Sequence, residues 1–406
     1  MLMTVGFFLF LYPLFMSLFW IIGGTMFYFR REAGDSAAPE LKETPFVSIL
    51  VPCYNEDEQI EEMLEGLMVL NYPDYEVIAI NDGSTDSTKE ILVDCSRKFD
   101  RLRVVNSKEN KGKANALYLG VLASNGEIVL TLDSDACLDK DALQYLIPHF
   151  TTPNYSERVG AVTGNPRIRN RSSLLARIQF IEYCSIIGLI KRSQRIIGKV
   201  MTVSGVVAAF RKKALLDIGF WDKDIIADDI GVTWKLQKKF WDVRYEPRAL
   251  CWMLVPETVR GLWKQRIRWA QGGVEALLRH YKIFTDYKQR RLFAVYIEQV
   301  ISIIWSIIWI LYLCFVLIFE FDLTLLLYGT YLAIIALVQL TVSLLIDKKY
   351  EKTNLKYILW ASWYPLLYWF LNVLVLIPAI PRACKILSKN RSEFATWESP
   401  DRGLRK

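Results

Sequence analysis

Residues 127–135 have the sequence EIVLTLDSD, an apolar run that ends in two carboxylates. The run is rich in β-branched and aliphatic residues, so it predicts a buried strand from Glu127 to Leu132. Asp133 and Asp135 follow as a D-x-D triplet, and two carboxylates so spaced can reach a divalent cation that bridges a diphosphate. Taken alone, the triplet also suits an ordinary polar turn after a strand.

Strand-like runs alternate with helical stretches on the amino-terminal side of this triplet. Strands are predicted at Phe46–Val51, Tyr75–Ile80 and Leu102–Val105, and helices at 56–70, 84–99 and 113–123. This alternation is typical of an α/β fold with a parallel sheet. Ligands of such sheets bind beyond the carboxyl ends of the strands, so one nucleotide pocket can collect the polar groups at Tyr54–Glu56, Asn81–Gly83 and Asp133–Asp135.

Long apolar runs lie at both ends of the chain and indicate a membrane protein. Of the 406 residues, 52% are hydrophobic, which is high for a soluble enzyme. The first run has no basic start and no A-x-A cleavage site, so we interpret it as a retained anchor rather than a signal peptide. The runs that we predict to span the bilayer are Leu2–Phe29, Phe293–Phe319, Leu323–Ile346 and Tyr357–Ile380.

The charge and the cysteines restrict the function further. The net charge of +7 is spread along the middle segment, which suits anionic lipid or substrate phosphates, and we expect no nucleic-acid partner. The seven cysteines include no C-x-x-C pair. This pattern predicts reduced thiols, no structural zinc site and a cytosolic catalytic segment.

An amphipathic stretch follows Glu257. Its apolar residues recur at helical spacing, opposite a face with Lys264, Arg266, Arg268 and Arg279. The pattern predicts one or two helices in the membrane interface, and an ordinary helix facing a protein core is the alternative.

Three motifs together resemble the processive family 2 glycosyltransferases, whose cellulose, chitin and hyaluronan synthases share a Q-x-x-R-W signature. The motifs are Asn-Asp-Gly-Ser-Thr-Asp at 81–86, the D-x-D triplet and Gln-Arg-Ile-Arg-Trp at 265–269. Longer stretches narrow the resemblance to the bacterial poly-β-1,6-N-acetylglucosamine synthases of the intercellular adhesion type. These stretches are 162–169, 202–206, 245–252 and 399–403.

The resemblance implies a GT-A-type nucleotide-sugar-binding domain with specific donor residues. Tyr54 and Asp82 would hold the uracil, with Glu56 close by and Lys113 approaching the nucleotide. Arg268 would clamp the diphosphate with a bidentate guanidinium.

The same resemblance implies a metal site and an acceptor site. Asp133 and Asp135 would bind Mg²⁺ or Mn²⁺, which neutralises the leaving diphosphate. Trp269, together with Gln265, would hold the acceptor sugar at the mouth of a channel. A cation and an aromatic anchor of an interface helix are the simpler interpretation of Arg268 and Trp269.

The chain departs from the family at the catalytic base. Relatives have Thr-Glu-Asp where this chain has Ala227-Asp228-Asp229. By position Asp229 is the general base, and the role of the shorter Asp228 stays open. Helix capping ahead of the predicted helix Ile230–Lys239 is the alternative for both carboxylates.

The function implied is a membrane-bound, inverting, processive glycosyltransferase that polymerises N-acetylglucosamine from UDP-N-acetylglucosamine and exports the polysaccharide. It would lie in the bacterial plasma membrane with its catalytic domain in the cytoplasm, and relatives usually need a small membrane activator subunit. The alternatives are a chitin- or hyaluronan-like synthase, a polyprenyl-phosphate glycosyltransferase, and a non-catalytic nucleotide-sensing membrane protein or transporter.

The domain organisation predicted from these signals has five parts. They are an anchor at 1–30, the GT-A domain at 44–256, interfacial helices at 257–290, a transmembrane region at 291–385 and a tail at 386–406. A single final span would place Arg382 and the basic residues after it outside, against the positive-inside rule. Pro365, Pro378 and Pro381 leave a hairpin or re-entrant piece as the alternative.

Overall fold

The computed structural model describes residues 2–34, 38–153, 156–287, 289–319, 323–351, 354–361 and 364–388. The predicted tail from residue 389 onward, including the motif at 399–403, lies outside these residues.

One sheet of eight strands lies at the centre of the described middle segment. The strands are β1 (Val47–Cys53), β2 (Tyr75–Asp82), β3 (Leu102–Ser107), β4 (Ile128–Leu132), β5 (Cys137–Leu138), β6 (Val159–Ile168), β7 (Val207–Arg211) and β8 (Asp242–Met253). Their order across the sheet is β3-β2-β1-β4-β7-β6-β8-β5. Neighbours among β1 to β4 are parallel, whereas β7 is antiparallel to both β4 and β6. The predicted α/β fold with a mostly parallel sheet is therefore confirmed.

Alternate residues of the strands enter two separate cores, one on each face of the sheet. Ile49 and Val77 belong to one core and Leu50 and Ile78 to the other, and all four are fully buried. Burial on both faces explains why these strands are nearly continuous apolar runs.

Helices cover both faces of the sheet and bring their amino-terminal ends toward the loops that follow the strands. Most of them are α2 (Ile60–Leu67), α3 (Thr88–Lys98), α4 (Lys113–Ala123), α5 (Ala142–Leu146), α6 (Pro148–Thr151), α7 (Leu174–Tyr183), α8 (Lys191–Ile196), α9 (Lys212–Ile218) and α10 (Asp228–Lys238). A π-helical segment, Cys184–Ile190, joins α7 to α8. The predicted helix at 113–123 has the observed bounds, whereas α2 and α3 begin four residues later than predicted because the polar residues before them form turns.

Three helices among the described residues are long and apolar enough to cross a membrane. They are α1 (Leu2–Arg31), α12 (Phe293–Phe319) and α13 (Leu323–Asp347). The fourth predicted run includes residues 362 and 363, which lie outside the described ranges, and its described parts form α14 (Ile358–Ala361) and α15 (Tyr364–Ser388). Helix α15 packs along α11 (Val259–Arg279), the single long helix of the predicted interfacial segment. The number of C-terminal spans and the five domain boundaries stay predictions.

Buried ion pairs connect the membrane helices to the sheet domain. Arg192 of α8 donates hydrogen bonds to Glu32, just after α1, at 2.7 and 2.9 Å. It also lies 3.0 Å from Asp347 at the end of α13, and Asp347 accepts a hydrogen bond from Arg167 of β6 at 2.5 Å. These four side chains are almost fully buried, so the ends of two membrane helices are fixed to the domain that carries the site.

Candidate active site

The turn after β2 requires glycine at position 83 and places Asp82. Gly83 has a φ of 70°, and a Cβ there would lie 2.6 Å from the backbone of Glu109. The carboxylate of Asp82 accepts hydrogen bonds from the backbone N–H groups of Lys111, at 3.2 Å, and Gly112, at 2.7 Å. Burial raises the pKa of Asp82, and these hydrogen bonds offset part of the rise. The protein backbone itself thus orients this carboxylate.

The loop after β1 packs on the same turn. Asn55 has a φ of 56°, and its side-chain oxygen accepts a hydrogen bond from the N–H of Thr85 at 2.8 Å. The N–H of Glu56 donates to the hydroxyl of Thr88 at 2.8 Å. The two predicted nucleoside-binding residues of this loop, Tyr54 and Glu56, therefore lie on the loop that packs against the turn after Asp82.

Lys113 links this region to the carboxylates that follow β4. It is the first residue of α4, and its ammonium donates to Asp133 at 2.5 Å and to the carbonyl of Gly205 at 2.9 Å. Burial by itself lowers the pKa of Lys113, but the charges of Asp133, Asp228 and Asp229 outweigh it and raise the pKa above its ordinary value. Lys113 therefore stays charged among three carboxylates.

A cavity of about 430 Å³ lies beside Lys113. Eight of the predicted site residues line it, namely Lys113, Asp133, Asp135, Asp228, Asp229, Gln265, Arg268 and Trp269. Tyr54, Glu56 and Asp82 do not line this cavity, because the backbone of Lys111 and Gly112 lies over Asp82. The expectation of one pocket for all three strand ends is thus met only for the D-x-D triplet, and the other two ends lie next to it.

The two predicted base residues occupy the first turn of α10 and face the cavity. The N–H of Asp229 donates to the side chain of Asp228 at 3.0 Å, and the N–H of Ile230 donates to that of Asp229 at 2.8 Å. The helix begins two residues earlier than predicted, and the residue at its N-cap is Ala227, which has no side-chain capping hydrogen bond. Neither carboxylate is the N-cap residue, but each accepts a backbone N–H of the first turn, so a role at the helix N-terminus stays open beside the catalytic one.

Burial changes the acidity of both carboxylates. It raises the pKa of Asp228 to about 6, with Lys113 opposing the rise and the charge of Asp229 adding to it. Burial also raises the pKa of Asp229, while Lys113, Lys191 and Arg268 lower it. A carboxylate with a pKa closer to neutrality than usual is a better proton acceptor for general-base chemistry at neutral pH.

Helix α11 approaches the base residues through a glycine. The hydroxyl of Thr258 caps the helix by accepting the N–H of Gly261 at 3.1 Å. A Cβ on Gly272 would lie 2.2 Å from the Cβ of Ala227, so the helix and the segment before α10 pack with no space for a larger side chain. This close packing holds α11, and with it Arg268, against the wall of the cavity.

Arg266, which the sequence pattern assigned to the basic face of this helix, is buried and paired with a carboxylate of another helix. Its guanidinium is 3% exposed and donates to both carboxylate oxygens of Glu182 in α7, one of them at 2.6 Å. The guanidinium also lies 4.4 Å from the ring centroid of Trp269. The ring of Tyr183 packs against Trp269 as well, with 6.4 Å between the two ring centroids. The sequence pattern could not reveal this because α7, which is 84 residues away, supplies the partner.

The described residues offer a divalent metal two carboxylates rather than a complete site. Within the described ranges, no group of three or more His, Cys, Asp or Glu side chains is arranged to hold a metal ion. Magnesium at nucleotide sites usually takes one or two carboxylates and completes its shell with substrate phosphates and waters. Asp133 and Asp135, which both line the cavity, fit that kind of site.

Several cavity residues were not predicted from the sequence. Lys191 and Gln194 of α8 line the cavity, as do Trp20 of α1 and Glu298 and Gln299 of α12. Lys191 follows the apolar run Ile186–Ile190, and a lysine next to such a run is a signal of a buried cation that sequence reasoning could have used. The residues from α1 and α12 show that this cavity reaches the membrane helices.

Comparison with known proteins identifies a family profile that matches this chain and relatives that resemble it over nearly its whole length. A family profile described as glycosyltransferase like family 2 matches residues 44–272. The chain is 44% identical over 410 residues to the poly-beta-1,6-N-acetyl-D-glucosamine synthase of Staphylococcus epidermidis, with 98% of each chain covered. It is 45% identical over 412 residues to the protein of the same name from Staphylococcus aureus strain COL, again with 98% of each covered.

A solved structure has the same fold. The mannosyltransferase PcManGT from Pyrobaculum calidifontis, in complex with GDP-Man and Mn²⁺, aligns with a TM-score of 0.63 over 95% of this chain and 99% of that chain. The two sequences are 20% identical, so the likeness concerns the fold. It confirms the predicted GT-A-type architecture.

Proposed function

The chain belongs to the family 2 glycosyltransferases and is a membrane-bound hexosyltransferase, and from this premise we propose that it polymerises N-acetylglucosamine from UDP-N-acetylglucosamine into poly-β-1,6-N-acetylglucosamine and exports the polymer. One observation carries the proposal. A single cavity is lined by the D-x-D carboxylates, by the base candidate Asp229, by Trp269 and by residues of the membrane helices α1 and α12.

The donor would lie along the loops after β1, β2 and β4. Tyr54, Glu56 and Asp82 would hold the uracil, because Asp82 is fixed by two backbone N–H groups and can accept the imide proton. The diphosphate would extend from there past Lys113 toward Arg268, whose charges match those of the phosphates.

Asp133 and Asp135 would hold Mg²⁺ or Mn²⁺, and when bound this ion would neutralise the charge that collects on the departing UDP. The protein contributes Lys113 at the same place, hydrogen-bonded to Asp133 at 2.5 Å. The ammonium can shift from the carboxylate to a phosphate oxygen without leaving the cavity, and so it serves the same electrostatic purpose.

Asp229 would act as the general base for an inverting displacement. The carboxylate takes the proton of the acceptor hydroxyl, the hydroxyl oxygen forms a bond to the anomeric carbon, and the bond from that carbon to UDP breaks with its electron pair on the phosphate. One base is enough, and no covalent enzyme intermediate forms. Asp228 lies next to Asp229; burial raises the pKa of both carboxylates, and the charge of Asp229 adds to the rise at Asp228.

Trp269 and Gln265 would hold the acceptor sugar at the start of the export path. The indole of Trp269 is 39% exposed and lines the cavity, while the buried Arg266 packs on its ring. Sugar rings stack on such aromatic faces, which suits a chain that must move after each addition. Trp20, Glu298 and Gln299 would then receive the polymer between the membrane helices.

The proposed cellular arrangement follows from this path. The catalytic domain would lie in the cytoplasm, where the nucleotide sugar is made, and the helices would cross the plasma membrane of a bacterial cell. A small membrane subunit that activates the enzyme would bind to the helical part.

Radiolabelled UDP-N-acetylglucosamine and the purified protein in lipid nanodiscs test the proposal. We expect label in an acid-insoluble polymer. Label that extracts into organic solvent would indicate transfer of one sugar to a polyprenyl phosphate, and no transfer at all would indicate a sensor or transporter. Either of these results would contradict the proposed polymerisation.

A further inference from the structure

Two side chains of α8 that carry hydrogen-bond donors, Lys191 and Gln194, line the cavity. Lys191 and Gln194 are three residues apart, so they lie on the same face of the helix. They are 5% and 6% exposed, and both line the cavity that contains Asp229.

Both side chains offer donors that the protein does not use. Within the described residues, the ammonium of Lys191 has no hydrogen-bond or salt-bridge partner; it lies 6.0 Å from the ring centroid of Tyr245 and interacts with Asp229 only through its charge. The side-chain oxygen of Gln194 accepts the N–H of Met201 at 3.0 Å, which leaves its amide nitrogen unbonded in the described part of the chain. Both side chains line the cavity, so the oxygens of a ligand bound there can accept these hydrogen bonds.

The wall that carries these donors lies on the membrane side of the cavity. A Cβ on Gly23 of α1 would lie 2.1 Å from the hydroxyl of Ser193, so the first membrane helix packs directly on α8 between Lys191 and Gln194. Arg192 is fixed by Glu32 and Asp347 at the ends of two membrane helices. The donors therefore keep a defined position on the side from which the product must leave.

Other residues of the cavity already match the diphosphate, so Lys191 and Gln194 are available to a second ligand. Lys113 and Arg268, together with a metal at Asp133 and Asp135, already match the phosphate charges of the donor. The other ligand in the reaction is the sugar at the end of the growing chain, whose hydroxyl and acetamido oxygens accept hydrogen bonds. A lysine ammonium with three protons and an amide with two can bind several such oxygens at once.

Resting on the proposed function, we propose that Lys191 and Gln194 form an acceptor subsite that donates hydrogen bonds to oxygens of the terminal N-acetylglucosamine and turns its attacking hydroxyl toward Asp229. The π-helical segment just before α8 agrees with this role, because such segments are frequent at functional sites and change the face that the following residues present.

Extension of a short β-1,6-linked N-acetylglucosamine oligosaccharide by the purified full-length protein tests the subsite. For Lys191→Met we expect the KM for the oligosaccharide to rise at least tenfold, while the Kd for UDP, measured by calorimetry, stays within twofold. Lys191→Arg keeps a cation with several donors and should recover most of the loss. Lys199→Met is the matched control, because Lys199 follows the same helix and does not line the cavity, and it should behave as the wild type.

Two results would overturn the subsite. One is an unchanged KM for the oligosaccharide in Lys191→Met, and the other is a tenfold weaker UDP affinity, which would assign the lysine to the donor. If Lys191→Met does not fold, Gln194→Leu is tested against the same two criteria. A wild-type protein that fails to extend the oligosaccharide would contradict the proposed function itself, so the two failures are distinguishable.

Discussion

The donor side, which includes the loops next to the cavity, and the membrane side of the cavity satisfy their polar groups in opposite ways. On the donor side, Asp82 is bonded to two backbone N–H groups and Asn55 to Thr85, all within segments about 30 residues apart. On the membrane side, Lys191 and Gln194 keep donors that no described residue uses. On the first side the protein itself orients the groups that meet the ligand, whereas on the second side the donors would be satisfied by the ligand.

The two sides also differ in how far apart along the chain their parts lie. Arg192 meets Glu32 across 160 residues, and Arg266 meets Glu182 across 84. Both contacts are buried ion pairs, so the acceptor side depends on long-range packing between the membrane helices and the sheet domain. Changes on the donor side should therefore affect nucleotide binding and departure, and changes on the membrane side should affect the acceptor.

Removal of the base should have the greatest effect, because it stops the step at which both sides meet. Asp229→Asn should reduce polymer synthesis by roughly a hundred- to ten-thousandfold, the usual contribution of a placed general base, with nearly unchanged UDP affinity. Asp228→Asn should be milder. Rates and UDP binding are measured in both variants, and an inactive Asp228→Asn beside a near-normal Asp229→Asn would mean that the base is the other carboxylate.

Loss of the metal site should disable the donor side alone. Asp135→Ala should lower turnover by roughly a hundred- to a thousandfold even with added metal, because the departing UDP keeps its charge. The wild type should lose activity in excess EDTA and regain it with Mg²⁺ or Mn²⁺. Full activity in EDTA, or wild-type rates in the variant, would mean that the D-x-D triplet is only a turn and binds no metal.

Loss of the aromatic platform should disable the acceptor side alone. Trp269→Ala should lower polymer yield by roughly ten- to a hundredfold, equivalent to about 1.4–2.8 kcal/mol, and leave UDP affinity unchanged. Trp263→Ala is the matched control, since Trp263 belongs to the same helix and does not line the cavity. Equal effects of the two substitutions, or polymer of normal length and yield from Trp269→Ala, would make Trp269 a membrane anchor instead.

The smallest expected effect is a shift in the pH dependence of turnover. Burial raises the pKa of Asp229, and a base must be deprotonated, so turnover should fall on the acidic side at a higher pH than an exposed aspartate would give. The charge of Asp229 adds to the raised pKa of Asp228, and an interaction between two titrating groups acts on both, so Asp228→Asn should move the acidic limb to lower pH. Turnover measured from pH 5.5 to 8 checks this, and a limb that stays in place would mean that the two carboxylates do not interact.

Local sequence signals predicted most of the strand and helix bounds on the donor side. The helix at Lys113–Ala123 has the predicted bounds, and the strand before Asp133 ends where the apolar run ends. The strand before Gly83 is two residues longer than predicted and includes Asn81 and Asp82, because both residues pair with the end of β3. The apolar pattern of the strands and the turn-forming residues after them were sufficient for this prediction, because each strand end is formed by residues close in the chain.

Sequence signals were weaker on the membrane side. The amphipathic pattern located α11 but did not show that Arg266 is buried, since helical spacing cannot reveal a carboxylate on a distant helix. Lys191 and Gln194 belong to no motif, and only the packing of α1 and α13 on α8 brings them to the cavity. Residues that face a ligand through such packing carry no local periodic signal.

One measurement decides whether the two sides together make the proposed polymer. The purified protein is incubated with UDP-N-acetylglucosamine and Mg²⁺, and the linkages of the product are determined by methylation and NMR. We predict a polymer of N-acetylglucosamine joined by β-1,6 bonds, with Asp229→Asn as the inactive reference. A product with 1,4 or 1,3 linkages, or a single sugar on a lipid carrier, would contradict the proposed function.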